Sequence, residues 1–96
     1  MRKSDRKIDQ QICQILTELC ESEFKKIEGF QWVTHTVDYD RWPKSLQVTL
    51  MFDNHEHLVQ TTKSTQKEHV KLMTQQALKR INIAIKPHQI DFQLER

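Results

Sequence analysis

Residues 30–53 read FQWVTHTVDYDRWPKSLQVTLMFD, and the alternation of apolar positions within them decides the fold. Leu46, Val48, Leu50 and Phe52 alternate with Gln47, Thr49, Met51 and Asp53. That is the period of a strand covered on one face and open on the other. Upstream, Val33, Val37 and Tyr39 share one parity, whereas Phe30 and Trp32 take the other, so a bulge near residues 30–32 is expected to reconcile them. The segment DYDRWPKS supplies turn-forming residues, and Pro43 keeps Trp42 out of helical dihedrals. A connection of about four to six residues is expected there.

Outward from this pair, Ile8, Ile12, Ile15 or Leu16, Leu19, Phe24 and Ile27 recur at helical spacing, which predicts a helix over 5–28 that lies across the sheet. Ser4 is the expected N-cap, and Gly29 is placed where a helix exit calls for positive φ. After Phe52 the alternation stops, and Asp53, Asn54, Thr61, Thr62, Ser64 and Thr65 favour turns and caps, with a short helical turn over 56–60. Thr65 and Glu68 have the side chains of a reciprocal capping box. A second helix follows on Val70, Met73, Ala77, Leu78 and Ile81, ending between Asn82 and Lys86, since Pro87 is costly inside a helix. Ile90, Phe92 and Leu94 then alternate with Gln89, Asp91, Gln93 and Glu95 as a half-buried strand. The expected class is α/β (α+β), in the order α-β-β-α-β, with two helices packed on one face of a three-stranded sheet and a single domain over 1–96.

Ninety-six residues with 36% hydrophobic content are enough for one core, and a mean hydropathy of -0.74 implies a polar surface. No apolar run approaches the roughly 18 residues of a membrane span. The basic first ten residues lead into a charged amphipathic pattern, where a secretory signal would have an apolar core, so a cytoplasmic location and no membrane partner are expected. Cys13 and Cys20 are two helical turns apart, about 10 Å along a straight helix, too far for a disulfide within it. They read as reduced structural cysteines.

The run EGFQWVTHTVDYDRWPKSLQV at 28–48, with the N-terminal helix, resembles a small family of uncharacterised gamma-proteobacterial proteins, some of which carry a Fis-type regulator label. That label implies a C-terminal helix-turn-helix, at odds with the strand pattern at Ile90, Phe92 and Leu94. The resemblance implies no catalytic residue. The order of elements also resembles part of a type II KH arrangement, which suggests RNA, but the GXXG backbone clamp has no counterpart in a chain with one glycine.

Two surfaces stand out. Trp32, Thr34, Thr49 and Met51 are expected on the sheet face away from the helices, with Tyr39, Arg41, Trp42 and Lys44 at the tip of the strand connection. They suggest a non-enzymatic protein-interaction or self-association module, with a protein partner or a homodimer. Lys63, Lys67 and Lys71 form a basic stripe fit for a nucleic-acid backbone, so the alternative is an RNA-binding domain with an open sheet face and a basic helix. Asp53, His55, Glu56 and His57 invite a metal reading, but no HExxH and no clear third ligand accompany them, and a polar loop is expected. His35, His69 and His88 are scattered. No catalytic group, cofactor or metal site is assigned.

Overall fold

A computed structural model describes residues 3–38, 41 and 44–95. At its centre is β2, Gln47–Phe52, which pairs antiparallel with β1, Phe30–Thr36, and parallel with β3, Ile90–Leu94. Around this mixed sheet are α1, Lys3–Ser22, α2, His55–Lys63, and α3, Gln66–Lys79, with 3-10 turns at Phe24–Lys26 and Pro87–Gln89. The order is therefore α-β-β-α-α-β, with one helix more than the alternation of sequence signals indicated. Residues 90–94 form β3, the strand expected there.

The register obeys the parity argument. Phe30 pairs with Phe52, Val33 with Leu50 and His35 with Val48, whereas Trp32, Thr34 and Thr36 pair with Met51, Thr49 and Gln47, and a shift between Phe30 and Trp32 marks the expected bulge at Gln31. Val48, Leu50 and Phe52 are fully buried against Ile12, Leu16, Phe24, Val70 and Leu78 in one core cluster. The four phenylalanines form a chain through it: centroids lie 5.6 Å apart for Phe24 and Phe30, 6.4 Å for Phe30 and Phe52, and 6.1 Å for Phe52 and Phe92. Such pairs add about 0.5–1.5 kcal/mol each beyond area burial.

Several boundaries differ from the sequence reading for identifiable reasons. The first helix ends at Ser22, short of Glu28, and its described span, Lys3–Ser22, includes Ser4, whose side chain lies outside the description. The strand connection spans residues 37–46, longer than expected. At its neck Ser45 Oγ donates to Asp38 O at 2.6 Å and accepts from Asp38 N at 2.9 Å, so a side chain replaces the ladder bonds. Instead of a single turn, 55–63 is a complete helix. Its N-cap Asn54 accepts from His57 N at 2.9 Å.

The Thr65–Glu68 capping box does not form, because Thr65 is already αR (φ -64, ψ -13) and makes no side-chain cap bond. Ser64 is extended (φ -102, ψ 172), and its Oγ accepts from Gln66 N at 3.1 Å, so the capping hydroxyl sits one residue earlier. Helix α3 stops at Lys79 rather than beyond Asn82. Asn82 at φ 64, with Ile83 N bonded to Leu78 O and Asn82 N to Lys79 O, closes it in a Schellman motif whose apolar pair is Leu78 and Ile83. Gln89, expected on the open parity, is buried in the 3-10 turn and donates to Leu46 O at 2.8 Å, which pins the start of β3 beside the start of β2. Leu94 is 38% exposed at the strand's end, where the inner face runs out of cover.

Gly29 occupies the third position of a turn closed by Phe30 N to Ile27 O at 3.2 Å, and its φ of +87 is the type II value. A Cβ there would run into the His57 side chain. Gly29→Ala is therefore expected to lower unfolding free energy by about 1–3 kcal/mol in urea titrations. Asn82→Gly, which keeps a left-handed position permissive, should change it by less than about 1 kcal/mol.

Candidate functional site

The outer face of the sheet is built by the residues that β2 turns away from the core. Trp32, Thr34, Thr49 and Met51 share this face with Thr36 and Gln47, and Trp32 is 44% exposed. The surface is mostly hydroxyl and amide, with one large aromatic at its edge. Arg41 and Lys44 are exposed on the strand connection, where Arg41 N bonds Asp38 O at 2.9 Å. Tyr39 and Trp42 lie outside the described residues.

The second surface is the turn between α2 and α3. Lys63 closes α2 and is exposed, while Lys67 and Lys71, one turn apart on α3, are half-buried. Among the described residues none of the three forms an ion pair, whereas Arg80 reaches Glu18 on α1 at 3.7 Å. Glu68 falls about 100° around the helix from Lys67. Further along the same side of α3, Gln75 Nε2 donates to Ile85 O at 2.9 Å, so the Lys67–Lys71 stripe runs toward the segment that leads into β3.

The acidic and histidine-rich stretch after β2 resolves into a junction. His57 Nδ1 lies 2.8 Å from Asp53 Oδ1, and its Nε2 lies 3.3 Å from Glu28 Oε1. The bond to Asp53 raises the His57 pKa above its ordinary 6.5, with the charges of Asp53 and Glu28 adding to it against partial desolvation. Reciprocally, the bond from His57 holds the Asp53 carboxyl below its ordinary 3.8. His55 is exposed and does not join the junction. With both imidazole nitrogens occupied by carboxylates, these residues bind one another.

A third group was not visible in the linear order. His35 is on the inner face of β1, paired across from Val48, and its Nε2 meets Asp9 Oδ1 of α1 at 2.8 Å. Asp9, Cys13 and His35 each offer a donor atom within 4.8 Å of the others. They border a groove of about 640 Å³ between α1 and β1 whose walls include Cys13, Leu16, Cys20, Trp32 and His35. Both thiols titrate above the ordinary 9.0, Cys13 through burial and then the Asp9 charge, Cys20 through burial despite a bond from the Val33 backbone. Neither has the lowered pKa of a nucleophilic cysteine. Asp9 and Cys13 are one turn apart on α1, which the sequence does show; that His35 joins them depends on how α1 docks.

No helix among the described residues is long and apolar enough to cross a membrane. No family model, curated protein or solved structure matches the chain.

The Asp53–His57 pair makes a pH prediction. A raised histidine pKa stabilises the fold below pH 6.5 and ceases to do so as pH rises through the folded value; a lowered carboxylate pKa stabilises above pH 3.8 and ceases to do so as pH falls through the folded value. The pair's contribution is therefore complete between about pH 4 and 6.5. In a proton-NMR titration His57 should titrate above its ordinary value, and Asp53→Asn should bring it back down; an unchanged His57 midpoint in that variant would contradict the assignment.

Proposed function

We propose that this domain binds a nucleic-acid backbone, RNA in particular, along the α2–α3 turn. The observation that carries the reading is the placement of Lys63, Lys67 and Lys71 around the turn that joins two helices within the parallel crossover from β2 to β3. Three cations without ion-pair partners among the described residues, on a surface fixed by two packed helices, form a local positive strip on a chain of net charge only +2. Phosphate neutralisation by such a strip supplies affinity without sequence readout.

The order α-β-β-α-α-β supports the likeness to a type II KH arrangement, and no GXXG clamp is present at the α2–α3 turn. Here that turn reads Lys63-Ser64-Thr65-Gln66, and the Ser64 hydroxyl takes the Gln66 N–H. Contact with phosphates therefore falls to the lysine ammonium groups, which makes binding salt-dependent and tolerant of sequence. The fold likeness by itself carries no function.

A second reading is favoured by Trp32. An aromatic side chain 44% exposed beside Met51 on the outer sheet face suits a protein partner or a second copy of the chain. Sedimentation over a concentration series distinguishes this reading: a dimer that disappears in Trp32→Ala supports it, and a monomer throughout the series removes the homodimer.

For the leading reading, fluorescence anisotropy with labelled single-stranded and hairpin RNA should show binding at low salt. Changing Lys63, Lys67 and Lys71 to Glu should weaken it and flatten the dependence of log K on log salt by about 0.7 for each single-strand phosphate that is no longer neutralised. Failure to bind either RNA at low salt removes the proposal.

A further inference from the structure

We infer that Asp9, Cys13 and His35 form a binding site for a borderline divalent transition metal of the zinc type, one that clamps the N-terminal helix to the edge strand of the sheet. The donors are a carboxylate oxygen, a sulfur and an imidazole nitrogen, two of them one turn apart on α1 and the third on β1. Cys13 is exposed and Asp9 and His35 are half-buried, so the site is open on one side and rooted on the other. A tetrahedral ion about 2.0 Å from nitrogen and oxygen and about 2.3 Å from sulfur holds one oxygen, one nitrogen and one sulfur donor roughly 3.3–3.5 Å apart. The Asp9–His35 separation of 2.8 Å is under that span, and all three donor atoms lie within 4.8 Å of one another. Small rotations about the side-chain torsions, chiefly at exposed Cys13, bring all three into range.

The donor chemistry sets the class of ion. Magnesium and calcium take oxygen ligands, whereas sulfur with imidazole selects zinc and its neighbours. Three protein donors leave a fourth position for water, and Cys13 and His35 both border the groove between α1 and β1. Cys20 borders the same groove, but it lies two turns from Cys13 on α1 and its sulfur is bonded by the Val33 backbone. It is thus the natural control. An ion at this site takes the place of the Asp9–His35 bond as the tie between α1 and β1 and binds only the folded chain, so it stabilises that chain by mass action.

The test is a titration of the tag-free, fully reduced chain with Co(II), then displacement by Zn(II). One Co(II) per chain should bind with a thiolate-to-metal charge-transfer band and the intense visible absorption of four-coordinate cobalt, both removed by Zn(II). Cys13→Ser should abolish the charge-transfer band, while Cys20→Ser keeps it. His35→Gln and Asp9→Asn should each weaken binding by more than the about 10-fold to 100-fold that removal of an outer-sphere partner costs. Zn(II) should raise the melting temperature of the parent and of Cys20→Ser, but not of Cys13→Ser. Should His35→Gln fail to fold, exposed Cys13 and the Asp9→Asn variant still decide the matter. No charge-transfer band in the parent, a band that survives in Cys13→Ser, or one that disappears in Cys20→Ser overturns the proposal.

Discussion

Burial of one face of β2 is the constraint on which the rest of the molecule depends. Val48, Leu50 and Phe52 are fully buried, and their strand is hydrogen-bonded on both sides, so every neighbour must present a matching row. On β1 that requirement is met by inserting Gln31 as a bulge, which moves Phe30 into line with Phe52 while leaving Trp32 opposite Met51. A slip by one residue would exchange the aromatic core for a threonine-rich face. On β3 the buried amide of Gln89, bonded to Leu46 O, holds the register before the strand begins.

Between the core and the polar surface is a junction made of local groups from distant parts of the chain. Gly29 lacks a side chain where His57 packs; Gly29 O accepts from Asp53 N at 2.9 Å, and Asp53 in turn holds the His57 ring. The exit from the N-terminal helical region, the start of β1, the end of β2 and the start of α2 are thus fastened at one point. The Asp9–His35 bond performs a comparable task at the other end of β1. These two imidazole–carboxylate pairs tie the helical layer to the sheet.

The sheet was readable because a half-buried strand writes its face into alternate residues, and β2, the bulge and most of β3 could be placed from that pattern alone. Helix α2 was harder to see: HEHLVQTTK has only Leu58 and Val59 as apolar residues, and its buried side chain is Thr61, so packing and the Asn54 cap compensate for a weak amphipathic pattern. The capping box failed because side-chain identity cannot reveal that Thr65 is already helical and that the extended residue is Ser64. For the candidate sites, the lysine stripe is legible as a spacing on a helix, and Asp9 with Cys13 is legible in the same way. The third donor is not. His35 reaches them only through tertiary docking of α1, and no linear spacing encodes that angle.

The parallel pairing of β2 with β3 also governs the order in which the chain can mature. Strands β1 and β2 meet as sequence neighbours, but Val48 pairs with Ile90 only after the whole helical crossover has been traversed. Loop-closure entropy must be overcome before that pairing rewards it, so the sheet is completed late. Until then β2, destined for the centre, is an edge: apolar, unpaired along one side, and open to the β3 of another molecule as readily as to its own. Strand β3 therefore serves as a built-in cover for a nascent aggregation edge, and the speed with which it docks sets how long newly made molecules remain vulnerable to one another.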